Sequence, residues 1–283
     1  MSAPALPARP VIGVLHPGSM GAAVGSALKP AASAVIWAAA GRSLITSKRA
    51  ELADLVGVPD LAGVARRADV IVSVCPPDAA LDVARQVAAA LDGSRQQPLY
   101  VDANAVSPET VRAIGALFAP GRVVDGAIIG PPAWEPGQTV LWLSGPAATT
   151  VAGLFTGSPF EPRVLGPEVG AASALKACFA LQSKALTALR LAMAEAADRY
   201  GVAAALREEL ARTGGEPLLD AAPTKVAAAA WRWAGEMDQA GDALTAVDVP
   251  DGFSRAAAEV FRRLGEVHTP ADSPARTNSW NLR

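Results

Sequence analysis

Val11-Ile12-Gly13-Val14-Leu15-His16-Pro17-Gly18-Ser19-Met20-Gly21 is a short apolar run that breaks into a glycine-punctuated turn and leads into the alanine-rich segment Ala22–Leu28. Strand, tight turn and helix start come in the order that a bound pyrophosphate needs, because it sits on backbone N–H groups at a helix N-terminus with no side chain in the way. Gly18 and Gly21 meet that need, with Ser19 and Met20 between them. The first glycine of the usual G-x-G-x-x-G pattern is His16 here, followed by Pro17. The fingerprint is therefore degenerate, and an ordinary glycine turn between a strand and a helix is the competing reading.

Working outward, the second apolar run Ala34–Trp37 is followed by Ala38-Ala39-Ala40-Gly41-Arg42-Ser43. A site for NAD places Asp or Glu at this point, to hold the two ribose hydroxyls. This chain has no acid there. Arg42 is suited to grip a 2′-phosphate bidentately, with Ser43 adding a hydrogen bond and Thr46 and Arg49 close by in sequence. The bland alternative is a solvated loop charge. The pattern predicts NADP(H) as the cofactor. His16 then either touches the pyrophosphate or the nicotinamide ribose, or simply fixes the turn with Pro17. Cys75-Pro76-Pro77 ends the strand Val70–Val74 and is expected to flank a ribose. Cys75 has no base beside it and reads as a small packing residue. Asn104, just beyond the strand Leu99–Asp102, is a candidate hydrogen-bonding partner for the nicotinamide or the substrate.

The first half of the chain continues to alternate. Strands are expected at Val11–Leu15, Ala34–Trp37, Val70–Val74, Leu99–Asp102, Val123–Ile129 and Val140–Ser144. Helices are expected at Ser19–Leu28, Thr46–Val56 and Asp78–Leu91 (capped by Asp78), with another opened by Ser107-Pro108-Glu109. Strands separated by helices predict a parallel, doubly wound, Rossmann-like sheet. Beyond Arg163–Pro167 the pattern turns helical. Glu168–Tyr200 reads as one long helix of roughly 50 Å, followed by helical segments at Ala203–Thr213, near Thr224–Val247 and at Gly252–Leu264. The expected organisation is an α/β cofactor domain over residues 1–166 and an all-α substrate and dimerisation domain over residues 167–283. The tail from His268 reads as loose or draped over a neighbour.

Lys176 is the first cation after the small-residue run Gly170–Leu175. Positions seven and eleven further along an α-helix share its face to within about 20°, and these are Ser183 and Thr187. A lysine among apolar atoms has a lowered pKa and passes a proton near neutral pH; the alternative is a lysine that snorkels to solvent. Lys184 lies ~80° off this stripe.

Bulk properties narrow the field. Charged residues are 18% of the chain and the net charge is −2, without the clustered Lys and Arg of a nucleic-acid binder. Two distant cysteines, Cys75 and Cys178, form no metal or redox spacing, which fits a reduced compartment. No metal site is expected. Met1–Pro10 lacks an apolar core of signal-peptide length, and the longest apolar candidate, Ala171–Ala197, is broken by Lys176, Lys184, Arg190 and Glu195. A cytoplasmic protein without a membrane partner is expected.

These residues resemble the β-hydroxyacid dehydrogenase family, which includes 3-hydroxyisobutyrate and 6-phosphogluconate dehydrogenases. Ile12-Gly13 and Gly18-Ser19-Met20-Gly21 are similar to its opening I-G-x-I-G-x-G-x-M-G. Arg42-Ser43 resembles the Arg-Ser/Thr pair of its NADP-using members, and Asp102–Pro108 its D-x-S-T-x-x-P segment. Gly170–Lys176 resembles G-x-G-x-x-x-K, whose lysine is catalytic and falls on Lys176. Val124–Pro132 (V-D-G-A-I-I-G-P-P), Ser173–Lys176 and Trp231–Met237 resemble a bacterial branch with poorly assigned substrates. The family's S-G-G segment becomes Ile129-Gly130-Pro131, and its Asn pair after the lysine becomes Phe179 and Ala180. The implied substrate site (Asn104, Ile129, Gly130, Phe179, Ser183) is thus more apolar than usual, with Trp134, Trp231 or Trp233 as walls or as packing residues.

The resemblance implies a homodimer whose long and C-terminal helices interlock, with Glu236 and Asp238 either reaching a partner's cleft or standing as solvated helix charges. It also implies NADP(H)-dependent hydride exchange with a hydroxy- or oxo-acid-like small molecule, with Lys176 as proton donor or acceptor. An imine reductase acting on C=N and a non-catalytic NADPH-binding protein are the alternatives.

Overall fold

A computed structural model describes residues 6–217, 219, 222 and 224–267. The tail from His268 lies outside them. The described residues divide into two compact units, one ending at Lys176 and the other starting at Ala177, within a helix that starts beyond Gly166.

In the first unit, β1 (Val11–Val14), α1 (Ser19–Leu28), β2 (Ala34–Ala38), α2 (Leu44–Leu52), β3 (Val56–Val58), α3 (Leu61–Ala65), β4 (Val70–Ser73), α4 (Ala80–Leu91), β5 (Leu99–Asp102), α5 (Pro108–Gly115) and β6 (Val123–Ile129) alternate along the chain. β7 (Thr139–Ser144), α6 (Ala148–Leu154) and β8 (Phe160–Gly166) complete an eight-stranded sheet of order β3-β2-β1-β4-β5-β6-β7-β8. β4 and β5 are buried along their whole length, as expected of central parallel strands covered on both faces. The chain runs outward from β1 to β3, then returns to start β4 on β1's other side. The crevice where the direction switches opens at the C-terminal ends of β1 and β4.

Several expectations need correction. The sheet is not wholly parallel, because β7 runs antiparallel to β6. Only residues 130–138 join them, too few for a parallel crossover, which takes a dozen or more. α2 starts at Leu44 rather than Thr46, because Ser43 caps it by accepting from Thr46 N (3.2 Å). α2 also stops at Leu52, and the short edge strand β3 occupies Val56–Val58, where the sequence pattern extends the helix to Val56. Asp78 is not a cap; the prolines drive a 3₁₀ turn at Pro77–Ala79, and α4 begins after Ala79 with no side-chain cap. Ser107 does cap α5, accepting from Thr110 N (3.1 Å).

The long helix also differs from its expected form. It begins only at Ala171, since Gly170 has φ +108°, and α7 (Ala171–Ala180) passes through a π-helical segment, Leu181–Ala185, into α8 (Leu186–Arg199). The Ser183 hydroxyl donates to the Phe179 carbonyl (3.0 Å), a side chain inserted into the backbone ladder of the kind that disturbs a regular helix. The widened turn breaks the 3.6-residue register on which the Lys176–Ser183–Thr187 stripe depends.

The second unit continues through α9 (Ala203–Thr213), α10 (Thr224–Thr245) and α11 (Gly252–Val267). Its core packs Ala180, Ala188, Ala230, Ala234, Met237, Ala258 and Phe261. Small residues on most of these faces let the helix backbones approach closely around one large anchor, Phe261, which meets Trp233 edge-on at 5.3 Å.

Candidate functional site

The turn after β1 owes its shape to Gly21. A Cβ there would lie 1.9 Å from the His16 carbonyl oxygen, so no larger residue fits while the loop crosses so close. The Gly18 N–H donates to that same carbonyl (2.8 Å). The N–H groups of Ser19, Met20 and Gly21 open α1 without helical acceptors, and a Cβ on Gly18 would meet no atom within 4 Å. The turn therefore presents an uncluttered helix start. Met20 leans on the core, while Ser19 is exposed.

His16 and Pro17 are buried beneath this loop. Burial, and then the charge of nearby Arg42, push the His16 pKa down to about 3. A neutral, buried imidazole in the turn is in line with the loop-fixing role. Gly41 turns the chain after β2 with φ +69° and delivers Arg42 to the same region. Arg42 is itself partly buried, which lowers its pKa, and its charge eases the ionisation of the Cys75 thiol. Burial is also the main cause pushing the Cys75 thiol upward, so it stays protonated, in line with a packing role. The loops after β1, β2 and β4 thus bring His16, Arg42 and Cys75 together at the switch point. Ser43 stands beside them as the α2 cap, and Pro76 and Pro77 continue from Cys75.

Asn104 is held inside the protein. Its Nδ2 donates to Asp102 Oδ2 (2.7 Å) and Ser73 Oγ (3.2 Å), and its Oδ1 accepts from Cys75 N (2.6 Å). Both side-chain N–H donors are therefore engaged in tying the loops after β4 and β5 together. Ile129 ends β6, and Gly130 takes φ +135°, where a Cβ would press to 2.4 Å from the Gln138 carbonyl.

Lys176 is half-buried on α7, and its charge eases the ionisation of the buried Asp102. Phe179 and Ser183 lie farther along the helix, within the second unit. Phe179 is largely exposed, as are Trp134 and Trp231, whereas Trp233 packs against Phe261. Lys184 pairs with Glu236 (2.8 Å), whose other oxygen faces Arg232 (3.3 Å), and its ammonium lies 5.8 Å from the Trp233 ring centre. Asp238 pairs with Arg262 (2.5 Å). Glu236 is thus a sheltered structural ion-pair partner rather than a solvated helix charge.

The sequence reading missed a row of buried polar residues. Ser73, Asp102, Asp125 and Ser144 are register partners across β4, β5, β6 and β7, and each is fully buried. The signal was present: each is a polar residue in a mostly apolar strand, at its C-terminal end in β4, β5 and β7.

Comparison with known proteins places this arrangement. Residues 197–264 match a domain of unknown function, DUF1932. An uncharacterized 28.5 kDa protein encoded in the 7S RNA 5′ region of Methanothermus fervidus is 32% identical over 187 residues, covering 66% of this chain and 70% of that one. The solved structure of conserved protein MTH1747, of unknown function and described as structurally similar to 3-hydroxyacid dehydrogenases, is 28% identical. It covers 90% of this chain and 97% of its own, with a TM-score of 0.63. The chain belongs to the β-hydroxyacid dehydrogenase family. Another structure with this family's fold, Mycobacterium tuberculosis 3-hydroxyisobutyrate dehydrogenase with L-serine, matches 92% of this chain and 95% of that one at 18% identity and a TM-score of 0.63. Among the described residues no helix is long and apolar enough to cross a membrane, and no three His, Cys, Asp or Glu side chains gather in a way that suits a metal ion.

Proposed function

We propose that this β-hydroxyacid dehydrogenase-like chain is an NADP(H)-dependent oxidoreductase acting on a hydroxy- or oxo-acid-like small molecule, with Lys176 as the group that gives or takes the proton. The observation that carries the reading is the position of Arg42. It is a partly buried guanidinium beside the His16 turn and the capped start of α2, in a segment after β2 whose sequence, Ala39 to Ser43, holds no Asp or Glu. A fixed cation and a helix N-terminus together favour a phosphate.

The residues at the switch point fit a dinucleotide. The open side of Gly18 leaves room for a pyrophosphate at the start of α1, and Gly21 keeps the loop tight enough to present it. When bound, a nicotinamide would supply hydride exchange with a substrate carbon. The chain supplies orientation through the loops after β1, β2 and β4, and an ammonium at Lys176 to meet charge developing on the substrate oxygen. Substrate contacts are assigned to Ile129, Gly130, Phe179 and Ser183, with Asn104 acting through the loop it ties down. The absence of polar side chains at Ile129, Phe179 and Ala180 favours a less polar substrate than a simple hydroxyacid.

A homodimer completes the reading. α8 and α11 line a groove of about 400 Å³ with Leu181, Leu186, Leu189, Phe253 and Val260. Leu189 and Phe253 are 61% and 77% exposed, more apolar surface than an isolated helical unit comfortably leaves in water. A second copy of the chain is the proposed cover, and a monomeric mass by analytical ultracentrifugation would remove it.

The deciding experiment follows the NADPH absorbance band against a panel of oxo-acids, aldehydes and cyclic imines, after measuring NADPH and NADH affinity. Oxidation with an oxo-acid or aldehyde supports the reading, and turnover restricted to imines redirects it to C=N chemistry. Cofactor binding with silence across the panel argues for a protein that binds without turnover.

A further inference from the structure

The buried polar row across the sheet does more than cross it. Its Asp102 end is closed by Asn104, but its Asp125 end turns toward α7. Asp125 Oδ2 accepts from Gly170 N, Ser173 N and Ser144 Oγ, each at 3.0 Å, and Oδ1 accepts from Ser173 Oγ at 2.7 Å. Ser144 Oγ in turn accepts from Ala172 N (3.1 Å), and Ala171 N donates to the Glu168 carbonyl (3.3 Å). Every N–H at the head of α7, from Gly170 to Ser173, is thereby accounted for.

This is an unusual way to end a helix. A cap normally comes from the residue just before the first turn, which satisfies one of the orphan N–H groups and is local to the helix itself. Here the cap is a carboxylate from the middle of β6, 45 and 48 residues away in sequence. A sheet residue with four donors converging on it sets both the height and the rotation of the first turn. The negative charge also suits the positive end of the helix dipole. Above Gly170, where a Cβ would come within 3.1 Å of the Arg112 guanidinium, that side chain closes the other side. Ser173 and Lys176 are three residues apart and so are neighbours on one helix face.

We propose that Asp125 is a positioning residue for Lys176: by locking the first turn of α7 to β6 and β7 it sets where the Lys176 amine points. The catalytic consequence rests on the role given to Lys176 above, whereas the positioning itself does not.

The test reads the amine directly. The full-length protein is labelled with trinitrobenzenesulfonate, and modification of Lys176 is quantified by peptide mass spectrometry against the well-exposed Lys48 as internal reference. In Asp125→Asn an amide N–H₂ faces donors that the carboxylate accepted, so the ratio of Lys176 to Lys48 labelling shifts several-fold. Ser173→Ala removes one bond and keeps the carboxylate, giving a smaller shift in the same direction at near-parental melting temperature. An unchanged ratio in Asp125→Asn, with faster amide exchange at residues 170–173, would reduce Asp125 to a helix closure and overturn the proposal. If that variant does not fold, an unchanged ratio in Ser173→Ala overturns it instead. A protein inert toward every carbonyl and imine refutes the oxidoreductase reading, but the labelling ratio still decides whether Asp125 aims the amine.

Discussion

Asp102 and Asp125 are direct register partners on β5 and β6, both wholly buried, yet the protein treats them differently. Asp125 meets four hydrogen-bond donors at the head of α7. Asp102 relies on Asn104, whose side chain (2.7 Å) and backbone N–H (3.2 Å) both donate to it. Burial dominates for Asp102, pushing its pKa up from 3.8 to about 7; the bonds from Asn104 hold it down, the charge of Asp125 raises it further and that of Lys176 lowers it.

Two opposed pH dependences of stability follow. Between 3.8 and about 7 an unfolded Asp102 has lost a proton that the folded one keeps, so this group's contribution to stability falls as pH rises. His16 works the other way. Between about 3 and 6.5 the unfolded imidazole carries a proton that the folded one lacks, so stability rises with pH. Each slope is about 1.4 kcal/mol per pH unit, and over the shared window they offset one another. Melting temperatures from pH 4 to 6.5 are expected to climb in Asp102→Asn and to drop in His16→Gln. A flat profile in both variants would contradict this account.

The two glycines of the first turn are expected to separate folding from binding. Gly21→Ala drives a methyl group into the His16 carbonyl, and overpacking of this kind costs about 1–3 kcal/mol, seen as a lower melting temperature. Gly18→Ala places its methyl in open space. It should melt like the parent while binding NADPH more weakly in a fluorescence titration. Equal NADPH affinity in Gly18→Ala would remove this turn from the cofactor site.

Arg42→Ala is expected to weaken NADPH binding by roughly tenfold to a hundredfold, the worth of about 1.5–3 kcal/mol for hydrogen bonds to a charged group. NADH binding should change little. Parallel losses for both nucleotides would show that Arg42 does not read the 2′-phosphate.

Two lysines on the same stretch of chain are expected to fail in opposite ways. Lys176→Met should lower turnover by about 10²–10⁴, the usual scale of general acid–base catalysis, with NADPH affinity and melting temperature retained. Lys184→Met takes from Glu236, only 10% exposed at its side chain, its 2.8 Å ion pair and leaves the longer contact with the half-exposed Arg232. It should destabilise the helical unit in urea unfolding while sparing the affinity for NADPH. The reverse pattern would exchange the roles assigned to these residues.

Much of the α/β unit was legible because its central strands are continuous Val- and Ile-rich runs and its turns carry their own signals. Ser19–Leu28 and Leu99–Asp102 fall where periodicity and composition put them. Ser107 caps α5 because its hydroxyl needs only a neighbour three residues on. The misreadings share a cause. β3 is three residues long and borrows its conformation from β2, and the antiparallel turn to β7 follows from which edge of the sheet remained open after β6. Likewise, Leu181–Ala185 reads as ordinary α-helix in any local window, yet it widens into a π turn.

What sequence alone determined is whatever a local stretch of chain can enforce: strand runs, the glycine turn after β1, the cap at Ser107, and Arg42 in the place of an acid. What only the tertiary structure decided is which distant groups share one buried space. Asp125 reaches Gly170 and Ser173, Asn104 spends its amide on Ser73 and Asp102, and Lys184 finds Glu236. The physical reason is that a buried polar group must find its partners wherever the packed chain brings them, and nothing in the spacing along the chain records that meeting.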